Sequence, residues 1–181
     1  MFLNLEKQLK TGRSFQPSFK YRKILISFIG AFMAINVLAF LSIYKGQSLL
    51  IAPFGASTVL LFGVEESPLA QPRNLIMGNL LGGISAVFSF NCFGNNFFSC
   101  GIAVAITIAL GQLFRCLHPP AGAVASLGVI SNANLSFILS PVLLGSTVLV
   151  IWGISFNRIF NKKSTYPVHW IYILFSNYQH I

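Results

Sequence analysis

Long apolar runs separated by short polar connections make up most of this chain. A helix needs roughly 20 apolar residues to cross a bilayer. Four runs of about this length contain few or no charged residues: 24–44, 75–93, 97–117 and 137–156. The second of them includes the pair Gly82-Gly83, and small residues let helices approach closely in lipid. The pattern predicts four transmembrane helices.

Two further apolar segments, 48–64 and 119–131, have a different pattern. Each carries a P-x-G-A tetrad near its start, at 53–56 in the first segment and at 120–123 in the second. Continuous spans seldom begin with proline and glycine, and about 13 residues reach only about 20 Å as a helix. These segments are therefore predicted to be short broken or re-entrant helices.

Aligning the two tetrads gives both halves of the chain, about 24–93 and 97–157, the same order of elements: a long helix, a short P-x-G-A helix and another long helix. Three is an odd number, so the second half is inverted relative to the first if all three elements cross. Inverted repeats with broken helices are a recurrent plan of secondary transporters. The predicted fold is an all-α polytopic transmembrane bundle with an inverted internal repeat, and four or six crossings both remain open.

The amino-acid composition indicates a chain embedded in lipid. Of its 181 residues, 55% are hydrophobic and only 8% are charged, whereas soluble domains carry about 25% charged residues. The net charge of +9 comes mainly from basic residues at the two ends, beside the apolar runs. Such charges hold flanking segments in the cytoplasm. A lipid bilayer is therefore the expected partner, and nucleic acid is not.

The flanks complete the predicted domain organisation. Residues 1–23 form a basic cytoplasmic segment, 24–160 the transmembrane domain, and 161–181 an aromatic-rich tail at the membrane interface or against the bundle, with Tyr166 at headgroup level. Cytoplasmic termini require an even number of crossings. The N-terminal segment does not resemble a transit peptide, which favours a bacterial inner membrane. Small-residue faces permit a homo-oligomer.

Catalytic chemistry is not expected in this chain. It has only three carboxylates, Glu6, Glu65 and Glu66, which leaves little for acid–base catalysis. It also lacks a metal-binding spacing of histidine and acidic residues, a nucleotide-binding glycine loop and a nucleophile beside a base. We therefore predict no enzymatic activity, no metal and no cofactor.

Several motifs, in the right order along the chain, resemble those of one membrane-protein family. His118-Pro119-Pro120 lies within 113–123, and further matching stretches occur at 53–62, 67–74 and 166–170. From about residue 24 to 170 the chain resembles the HPP family, which is named for His-Pro-Pro. The resemblance implies an all-helical membrane protein of unsettled general function. Some plastid and cyanobacterial relatives are described as nitrite transporters, so nitrite is the substrate that the kinship suggests.

The two P-x-G-A segments also form the candidate binding site. A proline followed by small residues favours a helix start with unpaired N–H groups, which together with the helix dipole attract an anion. Glycine permits close approach to the backbone, hydroxyls donate hydrogen bonds, and nearby cations balance charge. The predicted site residues are Pro53, Gly55, Ala56, Ser57, Thr58, Arg73, Arg115, His118, Pro119, Pro120, Gly122 and Ala123.

Three of these residues have structural alternatives. Arg115 is also interpretable as a snorkelling residue at the end of a span. Arg73 is also interpretable as a surface charge paired with Glu65 or Glu66. His118 either carries a proton, because histidine titrates near neutrality, or caps the chain break before the two prolines.

Two asparagines complete the candidate polar residues. Asn74, which is of a type that caps helix starts, is expected together with Gln71 to cap the helix that contains 75–93. Asn79 lies inside a predicted span, where we expect it to form a hydrogen bond to a neighbouring helix. Lining a polar path is the alternative role for Asn79.

The leading functional hypothesis is a membrane transporter or permease for a small inorganic anion such as nitrite. Its site, formed by the two broken segments, would be exposed alternately to the two sides of the membrane. The alternative is a non-transporting membrane subunit or regulator that acts through helix–helix contacts. An intramembrane enzyme is the least supported class.

Overall fold

The computed structural model describes residues 18–46, 48–161 and 164–168, and these residues form helices and connections without any strand. The predicted all-α fold is confirmed for this part of the chain. A short 3-10 turn, Pro68–Ala70, links the second helix to the third. The helices are α1 (Tyr21–Lys45), α2 (Ala52–Gly63), α3 (Pro72–Phe93), α4 (Phe97–Leu113), α5 (Pro120–Ile130) and α6 (Leu135–Phe160).

Three of these helices are long and apolar enough to cross a bilayer: α1 has 25 residues, α3 has 22 and α6 has 26. They contain three of the four predicted spans. The prediction for the fourth, 97–117, is wrong in its length, because α4 ends at Leu113 after 17 residues. Arg115 has a φ of 52°, in the left-handed region where helices commonly end. The two prolines that follow, at 119 and 120, also prevent continuation.

Prolines mark the beginnings of the short helices and a break within α6. Pro53 lies in the first turn of α2 and Pro120 in that of α5, where a missing N–H removes no helical bond. In α6 the backbone at Ser140 is extended (φ −143°, ψ 118°) next to Pro141, inside the π-helical stretch Ile138–Leu143. Proline and π-helical turns are usual causes of a kink, so α6 is bent near its start.

Contacts between helix ends define two faces of the bundle. On the first, which we name the basic face, Lys23 at the start of α1 pairs with Glu65 just after α2. Asn161, after α6, lies 3.4 Å from the same carboxylate. On the second, which we name the opposite face, Asn95 after α3 donates to the carbonyl of Ile130 at the end of α5 (3.0 Å). Consequently α1, α3 and α5 run from the basic to the opposite face, and α2, α4 and α6 run back.

The six passes leave both ends of the described chain at the basic face. Tyr166, expected at headgroup level, is instead buried, and its hydroxyl donates to the carbonyl of Ala70 (3.2 Å). Burial raises the pKa of this phenol well above its ordinary value. The Val168 N–H donates to the side-chain oxygen of Gln71 (2.9 Å). The start of the predicted tail thus packs against the bundle, whereas 1–17 and 169–181 lie outside the described residues.

A shift of 67 residues, the spacing between Pro53 and Pro120, aligns the ends of the helices in the two halves. The ends of α2 and α3, Gly63 and Phe93, correspond to the ends of α5 and α6, Ile130 and Phe160. The ends of α1 and α4 correspond to within one residue. Corresponding helices run in opposite directions, so the second half has the arrangement of the first, inverted.

The correspondence extends to close contacts between helices and connections. A Cβ built on Gly78 of α3 would lie 3.0 Å from the carbonyl oxygen of Cys116. The counterpart of Gly78 is Gly145 of α6, and a Cβ there would lie 3.3 Å from the carbonyl oxygen of Leu49, the counterpart of Cys116. In both halves, a glycine on the last long helix therefore makes room for the connection that leads into the short helix of the other half.

The short helices nevertheless pack differently against the last long helix of the other half. A Cβ on Gly82 of α3 would lie 2.5 Å from the carbonyl oxygen of Ala121, so α5 approaches α3 through its backbone. The counterpart of Gly82 on α6 is Leu149. There, α2 makes contact through side chains, such as Leu61 against Gly153. The backbones of α5 and α3 therefore approach each other at Gly82, whereas side chains separate α2 from α6 at the equivalent position.

Candidate functional site

One hydrogen bond joins the two P-x-G-A segments. Ser57, in α2, and His118, just before α5, are both buried, and the Ser57 Oγ lies 2.9 Å from the His118 Nε2. The other ring nitrogen, Nδ1, lies 2.9 Å from the carbonyl oxygen of Leu69 in the 3-10 turn. His118 of the second half is therefore held by two elements of the first half.

These partners determine the tautomer of His118. A carbonyl oxygen can only accept a hydrogen bond, so Nδ1 carries the proton and donates to Leu69. In the neutral ring Nε2 is then the acceptor, and the Ser57 hydroxyl donates to it. Both ring nitrogens are thus used to hold helices together. A proton added at Nε2 would turn this acceptor into a donor and would break the present bond from Ser57.

The first turn of α5 offers fewer N–H groups than predicted for an anion site. Pro119 and Pro120 have no N–H. The Ala121 N–H donates to the His118 carbonyl (2.9 Å), and the Gly122 N–H donates to the Pro119 carbonyl (3.2 Å). No donor of residues 119–122 is left for a bound anion, so only the dipole of α5 would act on one.

The two short helices also point in opposite directions. Leu61, near the end of α2, packs against Gly153, so α2 runs beside α6 toward the basic face. In α5, Ala121 lies at Gly82 and Gly128 lies at Ala86, so this helix runs beside α3 toward the opposite face. The positive ends of the two dipoles therefore point to different faces. This geometry does not support one anion held by both helix starts.

The remaining predicted residues of α2 divide into buried and exposed positions. Pro53 and Thr58 are buried, and the Thr58 hydroxyl donates to the Phe54 carbonyl of its own helix (2.7 Å). Gly55 and Ala56 are exposed on the outer side of α2, and a Cβ on Gly55 would meet nothing within 4 Å. The structure thus places Gly55 and Ala56 away from Ser57 and His118.

A cavity of about 360 Å³ lies between α3, α4 and the start of α5. We name it the His118 cavity; its lining includes Gly78, Thr107, His118, Pro119 and Gly122. The Thr107 hydroxyl donates to the carbonyl of its own helix at Ala103 (2.7 Å). Three predicted site residues, His118, Pro119 and Gly122, therefore share one cavity, whereas Ala123 is exposed.

Two side chains at the start of α3 fasten this helix to the connection between α4 and α5. Arg73 donates through its guanidinium to the carbonyl of Phe114 (2.8 Å), and Asn74 donates through its amide to the carbonyl of Leu117 (2.9 Å). These two bonds, which we name the basic-face hydrogen bonds, join the start of α3 to the connection that leads to the His118 cavity, whose lining includes Leu117. Arg73 thus has a role in packing that the sequence did not predict.

Three expectations at the basic face are corrected. Asn74 does not cap α3, because the N-cap position is Gln71 and Asn74 lies inside the first turn. The carboxylate of Glu65 pairs with the start of α1 rather than with Arg73. Arg115 is exposed in the connection beyond the end of α4, so the structure does not bring it to the His118 cavity.

The predicted hydrogen bond from Asn79 to another helix is confirmed, and its partner is Ser146 of α6. The Asn79 Nδ2 donates to the Ser146 Oγ (3.1 Å), and both residues are fully buried. Ser146 is the counterpart of Asn79 under the 67-residue shift, so the pair lies where the two halves meet. The Asn79 Oδ1 is buried without a hydrogen-bond partner among the described residues. Ser146 was missed, although the spacing between Pro53 and Pro120 would have identified it.

A wider cavity, of about 630 Å³, opens at the opposite face. It lies between the connection after α1, the connection after α5 and the bent start of α6. We name it the opposite-face vestibule; its polar lining includes Ser48, Ser131, Asn132, Asn134, Ser136 and Ser140. Hydroxyl and amide groups, without a charged side chain in this lining, therefore surround its space.

In the part of the chain that the structure describes, six apolar helices form two inversely oriented halves around a buried polar pair, and these define a polytopic integral membrane protein. The family model that describes the HPP transmembrane region matches residues 16–167. The chain therefore belongs to the HPP transmembrane family, and the resemblance carried by His118-Pro119-Pro120 is confirmed.

Two transmembrane proteins of Dictyostelium discoideum are similar to this chain. One is 34% identical over 178 residues, covering 91% of this chain and 62% of the relative. Another is 32% identical over 181 residues, covering 93% of this chain and 58% of the relative. The chain thus spans about three fifths of the length of these relatives. No solved structure matches it.

Proposed function

We propose that this protein carries a small inorganic anion, with nitrite as the first candidate, across a membrane as a secondary transporter or permease. The observation that supports the proposal most is the buried Asn79–Ser146 pair at the interface of the two halves. Transporter sites commonly lie at such interfaces near the bilayer midplane. Polar groups are expensive inside a membrane, and those retained there usually serve a function.

The distribution of charge favours an anion over a cation. In the described residues the carboxylates are Glu65 and Glu66, and both follow α2 at the basic face, where lysines and arginines outnumber them. The buried polar groups between the halves are uncharged hydroxyl, amide and imidazole groups. Uncharged donors can hydrogen-bond a monovalent anion and still release it, as conduction requires. The choice of nitrite rests on family kinship.

Orientation follows from the same charges. We place the basic face, and with it both termini, in the cytoplasm, because positive residues flanking apolar helices remain on that side. A bacterial inner membrane is the proposed location. In this proposal the protein acts by moving its substrate and does not catalyse a covalent reaction.

Flux through purified protein tests the proposal. Labelled nitrite is added to one side of liposomes that contain the purified protein, and its counterflow is compared with that in empty liposomes. Nitrate, formate and chloride serve as competitors that separate nitrite selectivity from general anion permeation. We expect saturable uptake that competing anions reduce. Absence of flux above empty liposomes for every anion would refute transport.

A second function, that of a non-transporting subunit or regulator, is favoured by one specific observation. Ala52, Gly55, Ala56 and Val59 are exposed on one side of α2, and small residues permit close approach of a second helix in lipid. Gly55→Leu should then abolish co-purification of a membrane partner while leaving the fold intact. Normal flux in that variant would assign the surface to lipid or to assembly rather than to transport.

A further inference from the structure

The opposite-face vestibule and the two basic-face hydrogen bonds occupy equivalent positions in the two halves. Under the 67-residue shift, Ser140 and Pro141 of the vestibule correspond to Arg73 and Asn74. At the opposite face, the region around Ser140 and Pro141 is open and forms the vestibule of about 630 Å³. At the basic face, the equivalent region is closed by the hydrogen bonds that Arg73 and Asn74 donate to the carbonyls of Phe114 and Leu117.

The side chains explain why the two faces differ. Asn74 reaches the Leu117 carbonyl with an amide donor, whereas its counterpart Pro141 has no side-chain donor at all. Arg73 reaches the Phe114 carbonyl with a long guanidinium, whereas its counterpart Ser140 has a short hydroxyl. That hydroxyl is buried without a hydrogen-bond partner among the described residues. The opposite face therefore lacks the side-chain donors that form these hydrogen bonds at the basic face.

The segment 164–168 also contacts the bundle at the basic face. Tyr166 covers Ala70 and donates to its carbonyl, whereas the counterpart of Ala70, Phe137, lines the open vestibule. Val168 also donates through its N–H to Gln71. The basic face thus has further contacts at the turn before α3, next in sequence to Arg73 and Asn74.

We propose that this structure is the state open to the opposite face, and that Arg73 and Asn74 form the gate that closes the basic face. Breaking their bonds to Phe114 and Leu117 opens the His118 cavity to the basic face, while the vestibule closes. In an inverted repeat the two halves exchange arrangements between states. The inference rests on the proposed transport function, and it assigns Arg73 to gating rather than to balancing the charge of a bound anion.

Thiol labelling tests the gate without requiring flux. Cys92, Cys100 and Cys116 are first replaced by serine or alanine. Two single-cysteine reporters are then made: Thr107→Cys, buried in the His118 cavity, and Ser136→Cys, in the vestibule. A membrane-impermeant maleimide is added to one side of oriented vesicles. In the parent we expect rapid labelling of the vestibule reporter and slow labelling of the cavity reporter.

Weakening the gate with Arg73→Gln and Asn74→Leu together should shift the two-state equilibrium. We expect labelling of the cavity reporter from the basic face to rise at least roughly tenfold, because loss of the charge-assisted bond of Arg73 alone would produce a shift of that size. Labelling of the vestibule reporter should fall at the same time. The matched control is Arg158→Gln, which removes one positive charge at the basic face, near the end of α6 and outside the gate; it should leave both rates unchanged.

Reciprocal changes in the two reporters support the gate. Unchanged labelling rates overturn it. A faster labelling of the cavity reporter without a slower labelling of the vestibule reporter also overturns it, because that result indicates local loosening. Anion flux together with labelling rates that do not change reciprocally would refute the gate but not anion transport. Reciprocal labelling without flux of any tested anion would refute anion transport and leave the gate in place.

Discussion

Removing the Ser57 hydroxyl tests whether His118 ties the two halves together. In Ser57→Ala the buried Nε2 of His118 loses its donor, and Leu69 remains the partner of Nδ1. An unsatisfied buried acceptor costs about 1–3 kcal/mol in soluble proteins. Side-chain hydrogen bonds between membrane helices have measured contributions of about 0.6 kcal/mol on average and about 1.7 at most. We therefore expect a loss of about 1–2 kcal/mol in the free energy of unfolding.

Thr58→Val is a matched control at the neighbouring buried position. It also removes one hydroxyl, but that hydroxyl donates within α2 to the Phe54 carbonyl (2.7 Å) and joins no other element. This carbonyl can still accept its helical N–H, so we expect a loss below about 0.5 kcal/mol. Both free energies are measured by reversible unfolding in mixed micelles of a mild and a denaturing detergent. Equal losses in the two variants would refute the bridging role of His118.

Three further predictions concern packing, the gate and the interface of the halves. Gly82→Leu should destabilise the fold by about 3 kcal/mol, because its side chain would overlap the α5 backbone. Gly101→Leu, where a Cβ would meet nothing within 4 Å, should cost little in the same unfolding assay. A cross-link in Asn74→Cys/Leu117→Cys should stop anion flux until it is reduced, and flux through the oxidised pair would show that the basic face need not open. Asn79→Leu should lower flux at least tenfold in a protein that elutes as a folded species, and normal flux would remove this residue from the path.

Much of the helix order was predictable because the P-x-G-A tetrads are local signals. Proline can occupy the first turn of a helix without loss of a hydrogen bond, so Pro53 and Pro120 located the starts of α2 and α5 correctly. The spacing of 67 residues between these two prolines also gives the shift that relates the two halves. Span length was less predictable. The end of α4 depends on the left-handed backbone at Arg115, which an uninterrupted apolar run up to this point does not reveal.

The candidate site was only partly predictable because its contacts are distant in sequence. Ser57 and His118 are 61 residues apart, and Arg73 and Phe114 are 41 apart. Sequence patterns identified Ser57, His118 and Arg73 as candidates, but they did not show that Ser57 contacts His118 or that Arg73 contacts the Phe114 carbonyl. Hydrogen-bond acceptors such as the Phe114 carbonyl belong to the backbone and carry no residue-specific signal at all. The direction of α2 relative to α5, which separates their dipoles, likewise follows from the packing.

The two prolines before α5 have a consequence for how this helix behaves in lipid. A buried N–H group without a partner costs several kilocalories per mole in hydrocarbon, which is why helix starts are seldom found at membrane depth. Pro119 and Pro120 remove two such groups by their chemistry, and the two that follow are already paired. The start of α5 therefore requires no water and no ligand to satisfy it. His-Pro-Pro therefore makes a helix start whose first N–H groups are either absent or paired within the same segment of chain.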